Sequence, residues 1–252
     1  MDVAGDTAFE VAAGVVRDAA DHGVPLRLLG GQAVRLLCPD FHPRARQGQD
    51  MDFASVSSAK GVVMTFLADR GFVGDKKFNT LHGDRQMYFT TPDGGTSVDV
   101  IMDRLRMCHE LDFKRRIERM PHTLDVTDLL LSKLQVVEQN EKDVQDIVYL
   151  LAAFEVREGD TPATIGLGRF GSIVGADWGW WRTATRNLER VAELARGDLR
   201  HLVPEHPPFD PVEQAMKLRE HADAAPKSLK WKVRARVGER VRWYELPEEV
   251  GH

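Results

Sequence analysis

Residues 26–53 read LRLLGGQAVRLLCPDFHPRARQGQDMDF, and no other segment of the chain says as much about its architecture. It begins with an apolar segment that predicts a buried strand, passes through two glycines into a run typical of a short helix, and ends in a second strand-like segment. Because side chains alternate across a strand, Asp50 and Asp52 are expected on one face and Met51 on the other, toward a core. The stretch therefore predicts a strand, a turn and a helix, followed by a strand with paired carboxylates.

The paired carboxylates and the two glycines also indicate a kind of chemistry. Two parallel carboxylates repel each other, and a hard divalent cation is their usual counter-charge. The pair Gly30-Gly31 opens a helix, whose backbone N–H groups can bind a phosphate. Together these residues predict metal-dependent chemistry on a nucleoside triphosphate. An Asp-x-Asp pair alone is common by chance, and its ordinary interpretation is a solvated strand edge.

A third carboxylate strengthens the functional interpretation. Asp99 lies in the alternating segment 97–101, which predicts a second strand that can bring its side chain beside Asp50 and Asp52. A shift of strand register would instead bring Asp93 or Asp103 to that position.

The composition limits the class of protein. The chain has 252 residues, 42% of them hydrophobic and 29% charged, with a formal net charge of −5, which is typical of a globular protein without a surface-wide site for polyanions. No apolar run approaches the roughly 20 residues that span a bilayer, and the N-terminus lacks the pattern of a signal peptide. Cys38 and Cys108 are too few for a disulfide framework, and we expect both to be small core residues. A cytoplasmic protein without membrane contact is the simplest expectation.

Periodicity predicts an α+β core with a small mixed sheet flanked by helices, over residues 1–155. Helices are predicted at 9–20, 32–37 and 58–69, and strands at 24–29, 50–54, 78–82, 86–90 and 97–102. The segment 91–95, TPDGG, has the turn chemistry of a hairpin.

The chain from residue 124 onward is predicted to be mainly helical. Helices are expected at 126–139, 142–154 and 183–196, with a loose glycine-rich stretch from 155 to 179 and a proline-rich break at 204–211. We place a domain boundary at 155 and assign residues 156–252 to a helical region that shapes an acceptor site.

The ordered set of motifs resembles the nucleotidyltransferase superfamily with the polymerase-beta-like fold, and within it the AbiEii-type toxins. The resemblance covers about residues 20–155. Its motifs are Gly30-Gly31, the Asp50–Asp52 pair, Asp99 in its strand, and the later helices LSKL, 131–134, and KDVQD, 142–146.

The resemblance implies roles for these residues. Asp50 and Asp52 are expected to bind two Mg²⁺ ions together with Asp99, which would hold the metal that activates the attacking hydroxyl. The diglycine would let the backbone approach the triphosphate. Lys133 would neutralise phosphate charge as pyrophosphate leaves, Arg46 would lie in the nucleotide site, and Asp146 would orient Lys133 or a loop arginine. Lysines and carboxylates on amphipathic helices also occur as ordinary solvated pairs.

The same resemblance implies a reaction and its partners. A nucleoside monophosphate would pass from a nucleoside triphosphate to an acceptor hydroxyl, either a tRNA or other RNA end or a small hydroxylated molecule, as in antibiotic-modifying relatives. If the protein is a toxin, an antitoxin protein is an expected partner. A hypothesis of another class is a non-catalytic nucleotide-binding or interaction protein on the same fold.

Two basic segments remain. Residues 227–242 contain seven Lys and Arg residues, with Trp231 inside the segment and Trp243 directly after it, a pattern compatible with RNA contact or with an anchored terminal element. A second basic cluster lies nearer the carboxylates and could contact triphosphate or acceptor: Lys114, Arg115, Arg116 and Arg119. Three tryptophans are expected to pack in the helical part: Trp178, Trp180 and Trp181.

Overall fold

The computed structural model describes residues 3–41 and 50–246, with side chains from residue 8 onward. The chain divides into two compact units. Within the described residues, the first contains everything up to Leu105 together with Asp112–Asp125, and the second contains Arg106–Leu111 and the chain from Val126 onward. The helices predicted at 126–139 and 142–154 therefore belong to the second unit, whereas the sequence analysis placed them in the first domain.

The first unit has a mixed sheet with helices. Its helices are α1 (Val3–Asp21), α2 (Gly30–Leu37), α3 (Lys60–Ala68) and α4 (Lys76–His82). Its strands are β1 (Arg27–Leu28), β2 (Met51–Ser55), β3 (Val73–Gly74), β4 (Gln86–Thr90) and β5 (Ser97–Met102). A hairpin follows, β6 (Arg104–Arg106) and β7 (Glu110–Asp112), whose tip is counted with the second unit.

The five-stranded sheet has the order β1-β2-β5-β4-β3. Strands β2 and β5 pair in parallel, while the other three pairs are antiparallel. Met51 and Phe53 of β2 are buried on one face, beside Val98 and Val100 of β5. The alternation predicted for these strands is therefore confirmed, and Asp52 and Asp99 lie on the other face of the sheet.

The strand predicted at 78–82 is wrong, because this segment lies in the helix α4. The Asp75 carboxylate accepts a hydrogen bond from the Phe78 backbone N–H at 2.8 Å and so caps the helix. The buried Asn79 side chain donates to the Tyr88 carbonyl at 3.0 Å and accepts from the Tyr88 N–H at 2.7 Å. A helical side chain thus satisfies backbone groups of β4 that a strand partner would otherwise satisfy.

The second unit is mainly helical. Its helices are α5 (Val126–Leu134), α6 (Glu141–Ala153), α7 (Leu167–Ala176), α8 (Trp178–Arg196), α9 (Pro211–Ala224) and α10 (Leu229–Val237). A short parallel pair joins β8 (Val156–Arg157) to β9 (Ile165–Gly166). Helix α5 ends five residues earlier than predicted, at Leu134, and α6 begins after a capping box formed by Asn140 and Asp143.

The glycine-rich stretch before Gly179 is not loose, as predicted, but contains α7 and the start of α8. A Cβ at Gly171 would lie 2.7 Å from His221 Nε2, so this glycine permits close packing of α7 against α9. The Asp177 carboxylate then caps α8 by accepting from the N–H groups of Gly179 at 2.8 Å and Trp180 at 3.2 Å. The glycines here serve helix packing rather than chain flexibility.

Several broader predictions are confirmed. The chain is mixed α+β with a small mixed sheet, and both cysteines are buried. Trp178 and Trp180 are buried within the second unit, as expected for packing residues. None of the described helices has the length and apolar character that crossing a membrane requires.

Candidate functional site

The sheet places Asp52 directly beside Asp99. The two residues are register partners in the parallel pair of β2 and β5, so their side chains stand on the same face. Both are half-buried. Asp50 precedes β2 by one residue, is exposed, and accepts a hydrogen bond from the Ser97 hydroxyl. These three residues are called the sheet carboxylates below.

A neutral amide contacts Asp99. Gln86 of β4 donates from Nε2 to Asp99 Oδ1 at 2.5 Å. Tyr88 is the register partner of Asp99, and Gln86 is therefore its diagonal neighbour on the same face. No signal in the sequence singled out Gln86, because an amide on the half-exposed face of a strand is ordinary.

The first residue of α2 approaches Asp52 closely. Gly30 has φ +66°, and a Cβ built on it would lie 2.7 Å from Asp52 Oδ2. The preceding residue, Leu29, donates its N–H to the Asp52 carbonyl at 2.9 Å. Only glycine combines this left-handed backbone with such a close approach, so the N-terminus of an eight-residue helix lies against the carboxylate. Gly31 follows as the second residue of α2.

The same turn of α2 contains a buried amide without a hydrogen bond. Gln32 is 4% exposed, and neither its Oε1 nor its Nε2 finds a hydrogen-bond partner among the described residues. A buried amide left unpaired costs about 1–3 kcal/mol. Polar groups that remain unpaired in a folded protein often belong to a site that a ligand or water completes. Gln32 is not among the residues predicted from the sequence, and its polar character beside the diglycine was the available signal.

The two alternative candidates for the third carboxylate have other contacts. Asp93 lies in the turn between β4 and β5, where its carboxylate accepts from the Thr91 hydroxyl at 2.5 Å and from the Gly95 N–H at 3.0 Å. Asp103 follows β5 with φ 62°, and its carboxylate accepts from the Ser57 N–H at 2.9 Å and the Ser57 hydroxyl at 2.7 Å.

The charge state of Asp103 follows from these contacts. Burial alone would raise the pKa of its carboxyl, but the hydrogen bonds from Ser57 and the Lys114 ammonium, 3.0 Å away, together lower it. Asp103 thus fixes the segment after β2, while Asp99 is the residue that stands next to Asp52.

Lys133 and Asp146 lie in the second unit, where they contact each other. Lys133 Nζ of α5 is 2.8 Å from Asp146 Oδ2 and 3.3 Å from Asp143 Oδ1, both on α6. The Asp146 side chain is 2% exposed and that of Lys133 14%. This cluster of Lys133, Asp143 and Asp146 is called the helix ion pair below.

The remaining basic candidates are Arg46 and the second basic cluster, three of whose four residues form ion pairs. Arg46 lies outside the described residues. Lys114 pairs with Asp103 as stated, and the guanidinium groups of Arg116 and Arg119 lie 2.5 and 2.7 Å from Asp125 Oδ2. Lys114, Arg116 and Arg119 thus pair with carboxylates of the first unit.

The sheet carboxylates do not form a preorganised metal site in this structure. Across residues 3–41 and 50–246, no three or more His, Cys, Asp or Glu side chains are grouped closely enough to hold a metal ion. Asp50 accepts a hydrogen bond from the Ser97 hydroxyl, and Asp99 accepts one from the Gln86 amide. The pair Asp52 and Asp99 supplies the hard oxygen ligands that Mg²⁺ prefers, on two neighbouring strands.

Comparison of the chain with protein-family models, with curated proteins and with solved structures gave no match. The chemistry of the site therefore rests on its own residues and their geometry.

Proposed function

We propose that this protein is a metal-dependent nucleotidyltransferase, which transfers a nucleoside monophosphate from a nucleoside triphosphate to an acceptor hydroxyl. One observation carries the proposal: Asp52 and Asp99 are side-by-side register partners on parallel strands, and the glycine that opens α2 lies against Asp52. Hard oxygen ligands and a helix N-terminus are then adjacent, which suits a metal-bound triphosphate.

The proposed reaction is an in-line displacement at the α-phosphate. The acceptor oxygen bonds to the α-phosphorus, the bond from that phosphorus to the bridging oxygen breaks, pyrophosphate leaves, and the hydroxyl proton passes to solvent. Bound Mg²⁺ would offset the negative charge of the phosphates. Asp52 and Asp99 would hold the metal, joined by Asp50 after its side chain leaves Ser97.

The other residues have supporting roles in this proposal. The N–H groups at the start of α2 would bind a phosphate, which Gly30 and Gly31 permit because they carry no side chain. Gln86 would position Asp99 through its hydrogen bond. Lys133 and Asp146 pair with each other at 2.8 Å in the second unit, and the role on the departing phosphate that the resemblance implies for them stays a prediction.

The acceptor follows from the resemblance rather than from a contact. An RNA end, such as that of a tRNA, is the first acceptor to test, and a small hydroxylated molecule is the second. If the protein acts as a toxin on RNA, its expression alone should slow growth and an antitoxin protein should relieve the effect. A non-catalytic nucleotide-binding protein would bind the triphosphate and release no pyrophosphate with any acceptor.

Calorimetric titration of the four ribonucleoside triphosphates, with and without Mg²⁺, tests the proposal. We expect one or more of them to bind only when Mg²⁺ is present. Asp52→Asn and Asp99→Asn should each weaken that binding by at least about tenfold, because even changes to the partners of metal ligands cost roughly 10–100-fold in metal affinity. Transfer is then measured with an α-labelled triphosphate and either total tRNA or a panel of small hydroxylated molecules.

The matched control is Asp84→Asn. Asp84 belongs to the same unit, its side chain is 88% exposed, and its pair with Lys60 at 3.1 Å is a surface contact of small energy. This variant should bind nucleotide as the wild type does. The proposal is wrong if no triphosphate binds in the presence of Mg²⁺, or if Asp84→Asn weakens binding as much as Asp52→Asn.

A further inference from the structure

The C-terminal basic segment forms helix α10, and its tryptophans pack within the second unit. The ring of Trp231 meets Trp181 edge-on, with 5.4 Å between centroids. Trp243 meets Trp178 edge-on at 6.0 Å and donates from Nε1 to the Thr183 hydroxyl at 3.0 Å. Base stacking on nucleic acid requires open aromatic faces. These rings are used in packing, so the segment offers a different kind of surface.

The outward side of α10 is an exposed apolar stripe. Leu229, Val233 and Val237 are spaced by four residues, so they follow one another along one side of the helix. Their exposed fractions are 82%, 63% and 40%. Single exposed apolar residues are common, but a contiguous row marks an interaction surface.

This stripe lines a groove of about 1170 Å³ within the second unit. Ile173, Trp180 and Trp243 are among the residues that line it together with the stripe. Sites for small ligands measure about 300–1,000 Å³, so the groove is larger than a small molecule needs. An amphipathic helix that inserts its apolar face into an apolar groove is a common occupant of such a surface.

The charge around the stripe is strongly positive. Four cations beside or just after it are exposed and make no ion pair with any residue in the described part of the chain: Lys232, Arg236, Arg240 and Arg242. The acidic residue of this segment, Glu239, is held by Arg182 at 2.5 Å. Three carboxylates among the described residues line the groove: Glu110 and Asp177 pair with Arg106 and Lys230, each at 3.2 Å, and Glu245 is exposed.

We propose that this groove binds an acidic amphipathic helix of a partner protein. The partner's apolar residues would contact Leu229, Val233 and Val237, and its carboxylates would lie near Lys232 and Arg236. The apolar lining comes from several elements, with Ile173 and Trp180 beside the stripe, which suits an inserted helix better than a flat lipid surface. This site lies in the second unit and does not depend on nucleotide chemistry, so its test and that of the proposed function fail independently.

The test uses the full chain and a designed peptide. The probe is a fluorescein-labelled, 18-residue peptide with leucines on one helical face and glutamates on both flanks, and its binding is measured by fluorescence anisotropy. We expect saturable binding that weakens as salt is added. Val233→Asp should weaken it at least tenfold, and the double variant Lys232→Glu and Arg236→Glu should weaken it similarly and reduce the salt dependence.

Controls distinguish binding at this groove from non-specific binding of the peptide. Val62 on α3 is 56% exposed, so Val62→Asp makes the same change on another exposed helical valine and should leave binding unchanged. Far-UV circular dichroism checks that each variant is folded. If Val233→Asp does not fold, the double variant Lys232→Glu and Arg236→Glu still tests the proposal. A peptide with lysines in place of the glutamates should bind at least tenfold more weakly.

Three results would overturn the proposal. The first is absence of saturable binding of the glutamate peptide to the wild type. The second is equal loss of binding in Val62→Asp. The third is binding of single-stranded RNA or phosphatidylserine vesicles that Val233→Asp abolishes, without binding of the peptide, which would assign the groove to another class of partner.

Discussion

The sheet carboxylates and the helix ion pair both bring aspartates close together, but in different surroundings. The contacts of the sheet carboxylates include neutral donors, the Ser97 hydroxyl and the Gln86 amide, on the half-exposed face of a sheet. In the helix ion pair, Lys133 lies between two carboxylates, one of which, Asp146, is 2% exposed. Burial distinguishes the two clusters.

The difference follows from the cost of burying charge. A carboxylate removed from water needs a permanent cation, because desolvation costs several kcal/mol per ion. A half-exposed carboxylate keeps part of its hydration and can accept a cation from outside. The helix ion pair is therefore expected to govern stability, and the sheet carboxylates to govern ligand binding.

The largest effect should come from removing the cation of the helix ion pair. Lys133→Ala leaves Asp146 charged and buried, so the free energy of unfolding should fall by about 3–5 kcal/mol. Urea denaturation followed by circular dichroism measures this change. Lys142→Ala, on the exposed side of α6, is the control and should change it by less than about 0.5 kcal/mol. A loss below about 1 kcal/mol for Lys133→Ala would show that the cluster does not govern stability.

The next effect tests the approach of α2 to Asp52. Gly30→Ala places a Cβ 2.7 Å from Asp52 Oδ2 and also forces alanine into a left-handed backbone, which costs about 1–2 kcal/mol. Both stability and Mg²⁺-dependent triphosphate binding should decrease. Calorimetric titration and thermal unfolding measure the two changes.

Gly23→Ala is the matched control for Gly30→Ala. Gly23 has nearly the same φ, +67°, but a Cβ there meets no atom within 4 Å. The control should show the backbone cost alone, with unchanged nucleotide binding. Equal binding by the two variants would separate the glycine from the site and weaken the proposed role of α2.

Local patterns in the sequence predicted the parts of the fold that carry the site. Strands 86–90 and 97–102 were predicted with their observed bounds, because alternation and a TPDGG turn are strong short-range signals. Alternation also predicted the faces of Asp52 and Asp99. Their pairing in register could not be derived, since parallel strands joined through a long connection leave no local mark of register.

Other parts of the structure depend on contacts that one sequence does not show. A short strand is predicted at 78–82, yet the Asp75 cap and the contacts of Asn79 with Tyr88 favour a helix. Glycines near 171 indicated a loop, but His221 packs where a side chain would lie. Gln32 and Gln86 gained their importance only from burial and from a contact across strands.

The smallest effect should come from the neutral partner of Asp99. Gln86→Met keeps the size of the side chain but removes a hydrogen bond of about 1 kcal/mol, so triphosphate binding should weaken by roughly threefold to tenfold. Stability should change far less than in Lys133→Ala, because a half-exposed carboxylate can accept water instead. Thr90→Val is the control. Thr90 lies on the same face of β4 as Gln86, with Tyr88 between them. Calorimetric titration compares the two variants, and a loss of stability in Gln86→Met as large as that in Lys133→Ala would remove the distinction between the two clusters.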